Sequence, residues 1–339
     1  MPLRLRQFVA LATATLLEGM QQPASLLLLL ACVLLTALTP VFQFHSLGEE
    51  GRLARDSGLA YMLVFGLILA VAVASSTLAA EIERGTAAAA LSKPVPRPLF
   101  LAGKYAGVLT LVAILWFAAL LATLLAERAS DHFVAVGDEL GTRADRWTIL
   151  SSLLAPVVAL ATAGILNFRR CARFGVAAFL GIPLALATAL LLAGCYNRFD
   201  HLVWYHPDLN LRVMAAAVLI LLALALLTAL ATALATRLRS GSTLVLCALV
   251  LGLGLTGDLW TGHAAWSWRG LLGGLLPNLQ NFWMCDALAD GGRIPWHYVG
   301  SAAVYAAVWS ALALGAGMLA LRNRDMGCFR PDPSDSSDS

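Results

Sequence analysis

The chain has 339 residues, of which 60% are hydrophobic and 13% are charged, and its formal net charge is +3. Soluble domains contain about 45–50% apolar and about 25% charged residues, so this composition excludes a water-soluble fold. The small net charge gives no indication of nucleic-acid binding.

Residues 1–22 are predicted to form an interfacial amphipathic helix, because their apolar and charged side chains fall on different faces at helical spacing. The predicted apolar face carries Leu5, Phe8, Val9, Ala12 and Leu16, and the charged residues elsewhere are Arg4, Arg6 and Glu18. The alternative is a frayed leader without a role.

Apolar blocks of about 20 residues, the length that crosses ~30 Å of hydrocarbon, follow one another along the chain. They are rich in Leu, Ala and Val and show no alternation with period two, so helices are predicted and barrel strands are not. The fold class is therefore an all-α, polytopic transmembrane bundle with about eight spans. The predicted spans are residues 23–44, 58–80, 105–126, 147–168, 174–196, 213–236, 242–259 and 299–321. Six spans are the alternative, with a hairpin inserted between residues 174 and 236.

Lys and Arg concentrate in the short loops that are predicted to be cytoplasmic, whereas Asp and Glu concentrate in the other loops. The positive-inside rule then places both termini in the cytoplasm and the protein in the cytoplasmic (inner) membrane. The domain prediction is a transmembrane domain at 23–325 and a disordered cytoplasmic tail at 326–339, which is rich in Ser, Asp and Pro. Within an extracytoplasmic region at 260–298, residues 270–284 are apolar but too short to span. They are predicted to be re-entrant or interfacial, with a surface loop as the alternative.

The centres of the predicted spans contain no Asp, Glu, Lys, Arg or His, whereas ion-coupled carriers place such groups at depth. A secondary carrier is therefore disfavoured. The glycine pattern at Gly252, Gly254 and Gly257 lies inside an apolar span and predicts close helix packing, not dinucleotide binding. Gly103 and Lys104 run into Tyr105 and do not complete a P-loop, so no bound cofactor is expected.

The histidines cluster in the predicted outside loops, which leaves a membrane-embedded enzyme with a site at His201 and His206 as a second alternative. Their spacing is not typical of metal ligands, and no catalytic or metal-binding residue is predicted. Of the six cysteines, only Cys195 and Cys285 are placed where a disulfide could form, and whether they pair is left open.

The long cytoplasmic loop at 81–104, called the coupling loop below, carries the most distinctive pattern. Thr86 can cap a short helix of small residues at 87–92, and Pro94 ends that helix. Pro96 and Pro98 then stiffen the return to the membrane. A short helix with a small-residue face between rigid arms suits force transmission from a soluble partner.

The coupling loop resembles the signature of type 2 ABC exporter permeases, in which E-x-E-x-G-T leads to L-S-x-P-V, then R and G-K-Y. The residues that carry it are Glu81, Glu83, Gly85, Thr86, Leu91, Ser92, Lys93, Pro94, Val95, Arg97, Gly103, Lys104 and Tyr105. The C-terminal part is similar at residues 276–278, Phe282, Asp286, Ala287, 294–295, Tyr298 and 322–325. The pattern is similar to the subgroup that serves copper-enzyme maturation and gliding motility.

This resemblance implies a permease that works by alternating access, with a cytoplasmic ABC ATPase dimer and a second permease copy or a sister permease as partners. ATP would be bound by the ATPase. The residues that would couple the permease to the ATPase are Glu81, Glu83, Arg84, Gly85, Thr86, Ala88, Leu91, Ser92, Lys93, Pro94 and Arg97. The substrate and the direction of transport do not follow from it.

Overall fold

The computed structural model describes residues 3–42, 51–83, 96–130, 132–136, 139–196, 209–256, 276–289 and 292–322. Over these residues it contains ten α-helices, one 3-10 helix and one two-stranded hairpin. The elements are α1 Leu3–Gln21, α2 Pro23–Phe42, α3 Arg52–Glu83, α4 Arg97–Ala129, β1 His132–Val136, β2 Glu139–Arg143, α5 Arg146–Arg170, α6 Phe174–Ala193, α7 Val213–Leu234, α8 Ser240–Leu255, a 3-10 turn Gln280–Phe282, α9 Cys285–Ala289 and α10 Trp296–Arg322.

Seven of the described helices, α2 to α7 and α10, are long and apolar enough to cross a membrane, which confirms a polytopic helical bundle. The remaining predicted span, 242–259, corresponds to α8, which has only 16 residues. A helix of that length measures about 24 Å, less than the ~30 Å of hydrocarbon. The structure differs from the predicted all-α chain in one detail: a two-stranded β-hairpin follows α4.

The bundle is built around α3, α4 and α7. Their most apolar windows are 61%, 67% and 67% buried within the chain, whereas the corresponding share for α10 is 22%. Glycines allow these helices to approach closely. Gly58 of α3 lies directly against Thr123 of α4, and Gly66 of α3 lies against Leu224 of α7. These three helices therefore form the core that positions the remaining elements.

The helices α5 and α6 make the most extensive helix–helix contact in the described structure and pack on the side of the bundle against α2 and α4. Pro156 and Pro183 lie inside them. Helix α7 lies in the core, whereas α5 and α6 form a pair at its side. The alternative that 174–236 is an inserted hairpin stays a prediction.

The bundle has two distinct ends. We call the end where α3 stops and α4 begins the coupling end, and the opposite end the distal end. At the distal end, Gly51, with φ of +67°, sits against Glu127 near the end of α4. There β1 and β2 pair antiparallel from His132 opposite Arg143 to Val136 opposite Glu139. The Asp145 N–H donates to the Ala129 carbonyl (3.2 Å) and closes the base of the hairpin.

A segment at 276–289 enters the bundle from the distal end. The Leu279 N–H donates to the Gly254 carbonyl near the end of α8 (3.0 Å). Leu279 and Phe282 are buried beside Leu63 and Ile220, which lie about 10–16 Å along their helices from the distal end. This segment fills the space beyond the short α8. A re-entrant path through the bilayer for all of 270–284 stays a prediction.

Candidate functional site

The structure describes only the two margins of the coupling loop. Glu81 and Glu83 belong to the last turn of α3, and Arg97 is the first residue of α4 and is exposed. The rest of the predicted docking set lies outside the described residues, namely Arg84, Gly85, Thr86, Ala88, Leu91, Ser92, Lys93 and Pro94. The roles predicted for these residues stay predictions.

The helices on either side of the coupling loop are much longer than a bilayer crossing requires. Helix α3 has 32 residues and α4 has 33, which correspond to about 48 Å and about 50 Å against ~30 Å of hydrocarbon. They pack against each other, and α4 begins at a proline pair in which Pro96 is the N-cap and Pro98 lies in the first turn. Proline is well suited to these positions, because the first helical N–H groups have no partner within the helix. The two helices thus form paired arms that lead to the coupling loop.

Helix α1 braces the first turns of α4. A Cβ atom added at Gly103 would lie 2.8 Å from the Leu11 Cβ, and one added at Gly107 would lie 2.6 Å from the Ala12 carbonyl oxygen. Absence of a side chain at both glycines therefore allows the two helices to approach closely. Of the predicted apolar face, Leu16 packs against the core and Phe8 and Ala12 are half-buried, whereas Leu5 and Val9 are exposed.

The brace also reaches α3. A Cβ added at Gly19 of α1 would lie 2.8 Å from Leu111 of α4 and 3.0 Å from Val73 of α3, so three helices meet at this glycine. At the break between α1 and α2, the Gln22 amide donates to the Ser76 hydroxyl of α3 (2.8 Å). These contacts fix α1 against the halves of α3 and α4 that lead to the coupling end.

The distal end holds a buried ionic network. The Arg55 guanidinium lies 3.6 Å from a Glu127 carboxylate oxygen, and the Asn210 amide donates to the same oxygen (2.9 Å). Arg55 and Glu127 side chains are 7% and 10% exposed, so water screens this pair weakly. The network joins the beginning of α3, the end of α4 and the residues before α7.

A second buried pair ties in the peripheral helices. Arg128 Nε lies 3.5 Å from Asp145, and Arg128 also donates to the Tyr196 carbonyl (3.0 Å) after α6. Asp145 caps α5 by accepting from the Thr148 N–H (3.1 Å). Sequence reasoning placed these acidic residues outside the span centres but missed their pairing. The one available signal was the adjacent Glu127-Arg128 at the end of an apolar block.

A family model described as ABC-2 family transporter protein matches residues 7–187, more than half of the 339 residues. The chain belongs to this family of ABC transporter permeases. The match runs from α1 into α6 and includes the coupling loop. It does not distinguish a subgroup, so the likeness to permeases of copper-enzyme maturation and gliding motility stays a prediction. Searches among curated proteins and solved structures gave no match.

The permease has no disulfide between the two cysteines considered above, because Cys195 and Cys285 are both free thiols. Burial raises the pKa of Cys285 to about 12, with nearby Asp56 acting in the same direction. The thiol is therefore neutral at physiological pH and poorly nucleophilic.

The enzyme alternative stays a prediction, because most of the histidines behind it lie outside the described residues. His201 and His206 lie outside the described residues, and His297 is exposed in the first turn of α10. Among the residues that the structure describes, no group of three or more His, Cys, Asp or Glu side chains could hold a metal ion.

One glycine of the predicted packing pattern allows another segment of the chain to approach its helix closely. A Cβ added at Gly254 would lie 2.8 Å from the Pro277 carbonyl oxygen, whereas Gly252 has open space beside it. Gly257 lies outside the described residues. Gly254 therefore allows the 276–289 segment to pack on α8.

Proposed function

We propose that this permease moves its cargo across the cytoplasmic membrane by alternating access, driven by ATP hydrolysis on two cytoplasmic ATPase subunits that dock on the coupling loop. The observation that carries the proposal is the pair of arms, α3 and α4, which are about 20 Å longer than a bilayer is thick and border this loop on both sides. Membership of the ABC-2 family supports an ATPase partner.

The arms suit the transmission of force. A lever transmits displacement only if it does not bend, and α1 stiffens these arms by packing closely on Gly103 and Gly107. ATP binds the closed ATPase dimer more tightly than the open one. The free energy available to move the permease is therefore the difference between the two ATP-binding free energies. The permease itself needs no nucleotide site.

Within the coupling loop, Glu81, Glu83 and Arg84 orient the docking helix and pair with the ATPase surface. Gly85 permits the bend after α3, and Thr86 caps the helix. The small side chains that follow allow the helix backbone to approach the ATPase closely. Two permease chains, either identical or sister chains, enclose the pathway.

The test compares substitutions at two cytoplasmic glycines. Gly85→Val places a β-branched side chain at the bend before the docking helix, whereas Gly241→Val is a matched control at the coupling end. A side chain at Gly241, in the first turn of α8, meets open space. We expect Gly85→Val to insert normally but to lose ATPase co-purification and stimulated hydrolysis, and Gly241→Val to retain both. Ala88→Trp should behave like Gly85→Val, because the indole holds the docking helix off its groove.

Retention of co-purification and stimulated hydrolysis by Ala88→Trp at the wild-type level would refute the docking role. The permease purified alone should show no ATP hydrolysis. An activity abolished by His201→Ala and His206→Ala but unaffected by Gly85→Val would favour the extracytoplasmic enzyme instead.

A further inference from the structure

An open cavity of about 400 Å³ lies at the distal end, between the beginning of α7 and the beginning of α10. A cavity of this size lies within the range of about 300–1,000 Å³ typical of small-molecule sites. Among the described residues that line it, Arg212 and Arg293 are charged and none is Asp or Glu. The remaining lining side chains are Asn210 and the apolar Leu209, Leu211, Ala215, Ile294 and Trp296.

The two arginines approach the cavity from different parts of the chain. Arg212 is the N-cap residue of α7, and Arg293 lies three residues before Trp296, the first residue of α10. Both residues are exposed. Asn210 is held on one side of the cavity, because its amide donates to Glu127 and its side-chain oxygen accepts from the Arg212 N–H (3.3 Å). The position of Arg212 is thus tied to the buried ionic network.

The depth of the cavity matches the boundary between water and hydrocarbon. The spans of α7 and α10 begin at Val213 and Trp296, directly beside the cavity. Leu211 and Trp296 are 65% and 64% exposed, so apolar surface faces outward beside the two guanidinium groups. Trp is enriched at the depth of the lipid headgroups, and Arg side chains near the ends of spans extend to the same depth.

We propose that this cavity binds the phosphate of an anionic phospholipid in the extracytoplasmic leaflet. Two guanidinium groups on separate elements can each form paired hydrogen bonds with phosphate oxygens, a geometry that lysine does not reproduce. The first turns of α7 and α10 add a favourable dipole contribution. A phospholipid fits better than free phosphate because its acyl chains can cover Leu211 and Trp296, which a soluble anion would leave in contact with water.

The site is tested by native mass spectrometry of the purified full-length permease, titrated with phosphatidylglycerol. We expect one saturable lipid in the wild type. The Arg212→Gln/Arg293→Gln variant should bind it more weakly by about 10- to 100-fold for each arginine, since hydrogen bonds to charged groups contribute about 1.5–3 kcal/mol each. Arg146→Gln is the control, because this exposed arginine begins α5 near the distal end, outside the cavity lining. It should bind like the wild type.

Two further arms make the outcome decisive. The Arg212→Lys/Arg293→Lys variant keeps the charge and should fold normally, with affinity between those of the wild type and the double Gln variant. Inorganic phosphate should not displace the lipid. Equal loss of binding in Arg146→Gln would show that general surface charge attracts the lipid, and displacement by millimolar phosphate would show a simple anion site. Either result, or unchanged binding by the double Gln variant, would overturn the proposal.

Discussion

Gly107 offers a direct test of the brace between α1 and α4. In Gly107→Ala, the added methyl group would lie 2.6 Å from the Ala12 carbonyl oxygen and 2.7 Å from the Thr15 Cβ. Atoms in good contact are separated by about 3.5–4.0 Å, so α1 must move away by about 1 Å. The helix cannot relieve this contact by a rotamer change, because one of the two atoms belongs to the backbone.

The magnitude follows from two opposing effects. Overpacking of this kind costs about 1–3 kcal/mol, and a gap of about 1 Å forfeits up to about half of each dispersion contact. Replacing Gly by Ala inside a helix contributes about 1 kcal/mol of helix propensity in the opposite direction. Gly164→Ala in α5 isolates the second effect, because a side chain there meets nothing within 4 Å. The difference between the two variants is therefore the overpacking cost alone, about 1–3 kcal/mol.

The assay is the thermal unfolding midpoint of each detergent-purified variant, together with the rate at which protease removes α1. We expect Gly164→Ala to equal or exceed the wild type, and Gly107→Ala to unfold at lower temperature and to lose α1 faster. Stimulated ATP hydrolysis in the assembled transporter should fall for Gly107→Ala alone. If both variants were equally stabilised, α1 would not be packed on α4 as described, and its bracing role would have to be abandoned.

Three other predictions address the distal end and the topology. Glu127→Leu should lower the stability of the permease by about 1–3 kcal/mol, because it removes one of the two carboxylates that Arg55 contacts and leaves Asp56 (3.3 Å) as the other. Adding Arg55→Met should recover most of the loss, and a single variant as stable as the wild type would contradict the network. An impermeant maleimide at about pH 9 should label the half-buried Cys195 but not Cys285, whose thiol stays neutral because its pKa is raised to about 12; equal labelling would contradict the burial of Cys285. Reporter fusions after Arg170 should report cytoplasm and those after Asp208 the outside, and a reversed signal at Asp208 alone would indicate six spans.

The helical bundle could be predicted because hydrophobic length alone decides whether a helix crosses the membrane. Block boundaries at 23, 174 and 213 coincide with the beginnings of α2, α6 and α7. The family could also be predicted, since the spacing of the coupling loop is specific and the family match includes it. Both signals are local in sequence, which is why no knowledge of helix packing was required.

The arrangement of the helices could not be predicted from the sequence. Apolar blocks of similar composition lie either in the core or at the periphery: the most apolar window is 67% buried in α7 and 22% buried in α10. In lipid, composition does not reveal which face meets another helix, because acyl chains are as apolar as leucine. The pairing of Arg55 with Glu127 was hidden for a related reason, since the two residues are far apart in sequence and meet only once α3 and α4 are packed.

The same packing links the two ends of the permease. Helices α3 and α4 are in close contact at Gly58 and Thr123 near the distal end, and α1 clamps α4 at Gly107 near the coupling end. A displacement imposed at the coupling loop cannot be absorbed by sliding within this pair without breaking the buried contact between Arg55 and Glu127. We therefore expect α3 and α4 to move as one rigid body. The moving surfaces would then be those of the less buried helices, such as α10, and of the 276–289 segment that packs against α3 at Leu63.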